Sequence, residues 1–235
     1  MYLDKVNRAS RSIFTLNRKR EFITLHRMLN LNSNDTLLDI GSGDGYWTRR
    51  LAKRCQIVVG LEPDDELRRY AETMFIHPRV TYHQGTAEAI PYPNEYFSKI
   101  MSISCFEHFA DQEMAMQEIR RVLRPGGTVA LSVDSLLPEN SSKGFRDWHR
   151  HKHRVTRYFT VSEMYDLFQR NKLSYDDKTT TSFFHSHIAG QLRQIFVRHT
   201  KWWLPLYPVF YAGVRLGDGL FHDQPGQIIV LRATG

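Results

Sequence analysis

The chain has 235 residues, 41% of them hydrophobic and 24% charged, which is the composition of a soluble globular protein with one sizeable core. It carries a net charge of +7 and two cysteines, Cys55 and Cys105, which we expect to be free thiols in a reducing, cytoplasmic compartment. No apolar run reaches the roughly 18–20 residues of a membrane-spanning helix, and the first residues lack the apolar core of a signal peptide.

The first predicted element lies within residues 1–31. Apolar residues recur there at approximately helical spacing, at Ile13, Leu16, Phe22, Leu25, Met28 and Leu29. This pattern predicts one or two helices that pack on the rest of the chain. Basic residues cluster in this segment, in 141–160 and in 189–216, which is a weak indication of an anionic partner.

The next segment, Leu37 to Arg50, combines a strand, a glycine turn and a helix. The apolar strand ends at Asp39, the turn contains Gly41, Gly43 and Gly45, and a helix-compatible run follows. This order forms a ligand crevice at the carboxyl edge of an open α/β sheet.

Two phosphate-binding motifs fit this turn poorly. A dinucleotide fold needs its third glycine where Tyr46 stands, and a P-loop needs a lysine directly after Gly45. The acid at Asp39 would repel a pyrophosphate and suits a ligand that carries an ammonium group.

Four further strands are predicted, at 56–61, 79–83, 96–104 and 128–133, with helices at 66–74 and 112–123. The strand at 56–61 leads into Glu62, whose carboxylate is placed to accept hydrogen bonds from both hydroxyls of a ribose. Asp64 and Asp65 are better explained as caps of the following helix.

Five features in this order resemble the class I S-adenosylmethionine (SAM) methyltransferases. They are D-x-G-x-G-x-G at 39–45, Glu62, G-T-A-E at 85–88, C-F-E-H at 105–108 and R-P-G-G at 124–127. The resemblance implies a Rossmann-like, three-layered α/β fold with a seven-stranded, mainly parallel sheet and an antiparallel last strand. It also implies SAM as cofactor, S-adenosylhomocysteine as product, and a segment 1–31 that covers the cofactor or shapes the substrate entrance.

The resemblance carries a set of cofactor-binding residues onto this chain. They are Asp39, Gly41, Gly43, Gly45, Glu62, Pro63, Thr86, Ala87, Glu88 and Ser104. Thr86 replaces the acid that meets the adenine amino group in the family, so that contact is left to backbone groups, the Thr86 hydroxyl or Glu88. Ser98 also stands where the family usually has an acid.

Histidines are the candidate bases, because imidazole accepts protons near neutral pH. His108, at the tip of the fourth strand, is the first candidate, and His149 and His151 follow, with His153 beside them. These later histidines match no zinc spacing and have no cysteine or carboxylate close by, so we expect no metal site.

The C-terminal part carries weaker signals. Thr160 and Glu163 form a capping box, 173–178 predicts the sixth strand, and 227–232 predicts the antiparallel last strand. The aromatic and basic insert 179–223 is expected to form a lid over an apolar pocket. Peripheral membrane contact through 200–221 is the second interpretation, and nucleic-acid binding ranks last because no RNA-recognition motif is present.

We therefore expect one methyltransferase domain over 1–235, with its SAM-binding core at 36–134. The hypothesis is O-methylation of a small lipophilic, lipid-linked or sugar acceptor, which the basic clusters allow to be anionic. A SAM-binding protein without catalysis, which Thr86 and Ser98 would favour, and an NAD-dependent oxidoreductase, which Tyr46 disfavours, are the alternatives.

Overall fold

A central eight-stranded sheet organises the computed structural model, which describes residues 15–185, 187–199, 202, 204–221 and 225–235. The strands lie in the order β3-β2-β1-β4-β5-β8-β6, and β7 pairs with the same edge of β8 as β6 does. Their bounds are β1 Thr36–Ile40, β2 Ile57–Glu62, β3 Val80–Gln84, β4 Phe97–Ile103, β5 Leu123–Asp134, β6 Ser174–Tyr175, β7 Thr181–Phe183 and β8 Ile228–Thr234.

Strands β1 to β5 are parallel and β8 is antiparallel to β5. The mainly parallel sheet with an antiparallel last strand is therefore confirmed, with one strand more than predicted. The additional strand β7 lies inside the segment that we assigned to a lid. It was not predicted, because three residues give too short an alternation to be recognised as a strand.

Helices cover both faces of the sheet. Their bounds are α1 Arg18–Leu29, α2 Tyr46–Leu51, α3 Asp65–Met74, α4 Gln112–Val122, α5 Lys143–His153, α6 Val161–Arg170, α7 His187–Arg198 and α8 Tyr207–Leu220. Successive strand residues point to opposite faces, so Leu37 packs with α1 and α8 while Leu38 packs with α4 and α6. This confirms the three-layered architecture.

The insert 179–223 contributes to the core of the fold, and its role as a lid stays a prediction. Phe183, Phe196 and Val214 are buried in the core on one face of the sheet, beside Leu25 and Leu29 of α1. Aromatic residues in this insert thus provide a helical layer, and the parts of the insert at 186, 200–201, 203 and 222–224 lie outside the described residues.

Two local predictions have clear outcomes. The capping box is confirmed, since the Thr160 side chain accepts from the Glu163 backbone and the Glu163 side chain from the Thr160 backbone. Helix α5 was not predicted, because Phe145 and Trp148 stand in an otherwise polar run. Its start is marked by the Ser142 cap, which accepts from the Phe145 N–H. Residues 1–14 of the predicted N-terminal cover lie outside the described part of the chain.

None of the helices in the described ranges has the length and apolar character needed to cross a bilayer.

Candidate active site

The glycine turn after β1 is tied to the end of β2. The Gly41 and Ser42 N–H groups donate to the Leu61 carbonyl at 2.9 and 3.1 Å. The Gly43 N–H donates to Glu62 Oε2 at 2.8 Å, and the Asp64 N–H donates to Glu62 Oε1 at 3.0 Å. Glu62 is therefore held at the mouth of the turn, where the sequence placed it, and burial raises the pKa of its carboxyl.

Asp39 lies beneath the same turn. Its Oδ2 accepts a hydrogen bond from Thr48 Oγ1 of α2 at 2.6 Å, which fixes the start of that helix on β1. Burial raises the pKa of Asp39 to about 7, because the loss of water outweighs the favourable Thr48 hydrogen bond.

The backbone at Gly43 is open to the approach of a ligand. A Cβ at Gly41 would lie 2.2 Å from Cys105 Sγ, so that side of the turn is filled by protein. At Gly43 the backbone has φ +56° and a Cβ would meet no atom within 4 Å. The adjacent Ser42 Oγ is buried and has no hydrogen-bond partner in the described part of the chain. The turn is thus a cradle with an unused polar atom, which fits SAM.

The remaining predicted cofactor-binding residues differ in their exposure. Thr86 is exposed, Ala87 is buried in the core, and Pro63 is exposed beyond β2. Glu88 Oε1 accepts from the Ala110 and Asp111 N–H groups at 2.8 and 3.3 Å. One oxygen of the Glu88 carboxylate thus anchors the loop after β4, and its contact with the cofactor stays a prediction.

A second group of polar residues lies at the ends of β4 and β5. Asp134 Oδ1 accepts from Arg193 Nη2 at 2.7 Å, and Asp134 Oδ2 lies 3.6 Å from His149 Nε2. The other ring nitrogen of His149, Nδ1, lies 3.1 Å from the Tyr158 hydroxyl. Burial lowers the pKa of His149 to about 3, so the imidazole is neutral at physiological pH.

Helix α1 contributes two charged residues to the same edge. Glu21 Oε2 accepts from Ser104 Oγ at 2.5 Å and from Ser132 Oγ at 2.6 Å, and Arg18 Nη1 donates to the Ile103 carbonyl at 2.5 Å. The Ser104 hydroxyl therefore binds α1, and its contact with the cofactor stays a prediction.

Glu107 is the least satisfied group of this region. Its side chain is fully buried, and neither carboxyl oxygen has a hydrogen-bond partner among the described residues. Burial raises the pKa of Glu107 well above its ordinary value, and the neighbouring Asp134 charge adds to the shift. A buried carboxyl without partners is costly, which indicates that a ligand completes this site.

Of the predicted bases, His108 is placed best. Its Nε2 lies 4.0 Å from Glu107 Oε1, and its side chain remains one-third exposed. Burial lowers the pKa of His108 below its ordinary value, so the ring is neutral and able to accept a proton.

The later histidines divide by their position on α5. The His149 and His153 rings face each other with centroids 4.5 Å apart. His151 lies between them in sequence and is exposed, because a two-residue step turns the side chain to the opposite side of a helix. Its assignment as a catalytic candidate stays a prediction.

Sequence analysis missed four residues of this region: Arg18, Glu21, Asp134 and Arg193. Asp134 ends β5 as Asp39 ends the predicted core of β1, so an acid at a strand end was a usable signal. No local signal marks Arg193, which reaches the site from α7. Within the described ranges, no group of three or more histidine, cysteine or acidic side chains is arranged to hold a metal ion.

Comparison with known proteins explains this arrangement. A methyltransferase-domain model matches residues 38–131. An uncharacterised methyltransferase, YcgJ of Bacillus subtilis, is 30% identical over 149 residues, which is 60% of this chain and 58% of that protein. A 27-O-demethylrifamycin SV methyltransferase of Amycolatopsis mediterranei is 31% identical over 116 residues, covering 47% of this chain and 43% of that protein.

Residues 38–131 therefore form a methyltransferase domain, and the relatives and structural neighbours support the class I SAM-dependent type.

A solved structure shows the same fold. Geranyl diphosphate C-methyltransferase from Streptomyces coelicolor, in complex with Mg²⁺, geranyl diphosphate and S-adenosylhomocysteine, superposes with a TM-score of 0.69 at 15% identity. The match covers 92% of the present chain and 77% of the Streptomyces chain. The chain spans 58% of the length of the first two curated relatives, so their names do not define its acceptor.

The cradle at Gly43 can be tested with a matched pair of glycines. Gly43 and Gly126 both have positive φ and open space at the Cβ position, so alanine at either site should cost about 1–2 kcal/mol of stability. Only Gly43→Ala should weaken S-adenosylhomocysteine binding, by about tenfold or more, because its methyl group enters the cradle. Calorimetric titration and urea unfolding measure the two effects. Equal affinities for both variants would remove Gly43 from the cofactor site.

The pKa of Asp39 gives a pH prediction. We expect affinity for S-adenosylhomocysteine to rise as the pH increases through about 7, where this carboxyl ionises and attracts the ligand ammonium. By linkage, binding below this pH should release a proton, which calorimetry in buffers of different ionisation enthalpy detects. Asp39→Asn should flatten the dependence. A wild-type affinity that stays constant over this range would contradict the assignment.

Proposed function

We propose that this protein transfers the methyl group of SAM to a hydroxyl of a small lipophilic, lipid-linked or sugar acceptor. One observation carries the proposal. The glycine cradle with Glu62 lies at the carboxyl ends of β1 and β2, and the group around His108 and Glu107 lies at the end of β4, which neighbours β1. Cofactor and acceptor sites would then adjoin at one edge of the sheet.

The binding roles follow from the positions of the charged groups. Glu62 would accept the ribose hydroxyls while its two backbone donors keep it in place. Asp39 and the backbone of the glycine turn would hold the amino-acid end. When bound, SAM supplies an activated methyl group, so the protein has to orient the acceptor and to remove its proton.

His108 is the group that would take this proton. Its Nδ1 lies 3.5 Å from the Arg154 carbonyl, which favours the tautomer with the hydrogen on Nδ1 and leaves Nε2 as the acceptor. Glu107, protonated because of its raised pKa, would donate a hydrogen bond to the acceptor oxygen and orient it. His149 contacts both Asp134 and Tyr158, so its role would be to hold these side chains in position and not to exchange a proton.

The decisive experiment is a calorimetric titration of the protein with S-adenosylhomocysteine, with NAD as the control ligand. Micromolar binding of the homocysteine product without NAD binding supports the proposal. Incubation with SAM and a panel of hydroxylated lipids and sugars then identifies the acceptor by the mass of one added methylene. Binding without turnover on any acceptor would favour a SAM-binding protein, and tight NAD binding alone would favour an oxidoreductase.

Glu62 gives a direct mutational test of the ribose contact. Glu62→Ala should weaken S-adenosylhomocysteine binding by more than tenfold, about 1.5–3 kcal/mol, because it removes a charged acceptor and the anchor of the Gly43 N–H. Glu66→Ala, at an exposed position of α3, is the control and should leave the affinity unchanged. Unaltered S-adenosylhomocysteine affinity of the Glu62 variant would contradict the ribose assignment.

A further inference from the structure

The helical pair α7–α8 presents an unusual amount of apolar surface. Trp202 is 82% exposed, Val209 67%, and Leu216 and Leu220 each 66%. We use the term hairpin surface for the exposed apolar residues of this region: Ile188, Ile195, Trp202, Leu204, Leu206, Val209, Leu216, Leu220 and Phe221. Isolated apolar residues are normal on a protein surface, but a run over two packed helices indicates a binding surface.

Helix α8 is apolar on both of its sides. Val214 is buried in the core, and Tyr207 and Phe210 pack against this core. Val209 and Leu216 are exposed on the outer side of the helix. A helix with apolar residues all round belongs in an apolar environment on each side. The sheet provides that environment on the inner side only.

Helices α7 and α8 pack against each other in antiparallel orientation. Leu192 of α7 lies 3.0 Å from a Cβ built at Gly213 of α8, and the Phe196 ring packs on Phe210 with centroids 5.5 Å apart. Residues near one end of α7 therefore lie beside residues near the opposite end of α8. The described connection contributes Trp202, Leu204 and Leu206 at one end of this pair.

The charges around the hairpin surface are of one sign. Residues 187–217 contain four arginine or lysine residues, of which Arg193 is buried, and no aspartate or glutamate. Arg215 is exposed beside Leu216, and Arg198 lies at the end of α7. The nearest acid, Asp218, is buried and pairs with Arg20 at 2.6 Å, so it does not offset these bases at the surface.

We propose that the hairpin surface docks on a lipid bilayer that contains anionic lipids. Its apolar residues would enter the boundary between headgroups and acyl chains, with Trp202 at headgroup level. The exposed Arg215 would contact the lipid phosphates, whereas Arg198 donates to the Gly144 carbonyl and adds its charge from the end of α7. The contact is peripheral.

The same helices connect this surface with the candidate active site. Arg193, on the inner side of α7, pairs with buried Asp134 at 2.7 Å. A bilayer under the outer side would therefore lie one helix layer away from the polar group at the end of β5. This narrows the acceptor to a molecule carried by the bilayer, a consequence that rests on the proposed function, whereas the docking itself does not.

Sedimentation with vesicles tests the docking directly. The full chain is mixed with vesicles of phosphatidylcholine alone or of phosphatidylcholine with phosphatidylglycerol. We expect binding to the mixed vesicles that weakens with added salt. Leu216→Glu should reduce this binding by more than tenfold, and Arg215→Gln by less. The matched control is Ile76→Glu, at a 74% exposed position beyond the end of α3, which should bind as the wild type does.

Further measurements separate this proposal from its rivals. Circular dichroism and S-adenosylhomocysteine titration of Leu216→Glu should match the wild type, so a folding defect or a failed cofactor site is distinguishable from lost docking. Wild-type protein that stays in the supernatant, or equal sedimentation of Leu216→Glu and Ile76→Glu, would overturn the proposal. So would a dimer that depends on Leu216 and persists with vesicles, because a second copy would then cover the surface.

Discussion

Replacing Arg193 by methionine is expected to lower the free energy of unfolding by about 3–5 kcal/mol. Burial by itself raises the pKa of Asp134, but the Arg193 guanidinium and His149 outweigh it and hold the pKa below its ordinary value. Without Arg193, the buried Asp134 carboxylate loses its ion-pair partner, whose Nη2 lies 2.7 Å from Oδ1, and water cannot replace it. Urea unfolding followed by circular dichroism measures the loss.

Two further variants show whether the loss comes from the uncompensated charge. Arg170→Met removes an exposed arginine that pairs with Glu113 at 3.0 Å, and it should cost less than about 1 kcal/mol. The double variant Arg193→Met with Asp134→Asn should be more stable than Arg193→Met alone, because the orphaned charge is gone. Equal losses for Arg193→Met and Arg170→Met would show that the buried pair has no special weight.

Replacing His108 by alanine is expected to lower the rate of methyl transfer by about 10²–10⁴-fold, the usual contribution of a positioned base. Affinity for S-adenosylhomocysteine should stay nearly the same, since His108 lies beside Glu107 and away from Glu62. Single-turnover kinetics on the acceptor found in the panel measure the rate.

The pH profile distinguishes a base from a packing residue. Burial lowers the pKa of His108, so the wild-type rate should rise with pH and level off below the ordinary pKa of histidine, 6.5. His108→Ala should lack this rise, and His151→Ala, on the exposed side of α5, should retain the wild-type profile. A His108→Ala variant with full activity would exclude His108 as the base.

The cofactor half of the site was predictable because its signals are local. Asp39 and the three glycines lie within seven residues, and Glu62 directly follows an apolar run that forms a buried strand. A parallel sheet then brings these strand ends together without further information. Contacts such as those of Glu88 and Ser104 could not be predicted, because each side chain binds a loop or a helix that is distant in sequence.

The acceptor half depends on contacts between distant parts of the chain. Glu21 meets Ser132 across 111 residues and Arg193 meets Asp134 across 59 residues. A polar sequence such as that of α5 also carries little periodic signal, so the buried position of His149 and the exposed position of His151 could not be separated without the helix itself.

The place of β8 has a consequence for biosynthesis. This strand fills the sheet between β5 and β6, yet it begins at residue 228, long after β5 ends at residue 134. While a ribosome makes the intervening residues, the edge of β5 offers unpaired N–H and C=O groups along its length. The nascent protein therefore passes through a state with an open sheet edge, which is prone to aggregation until the last strand emerges.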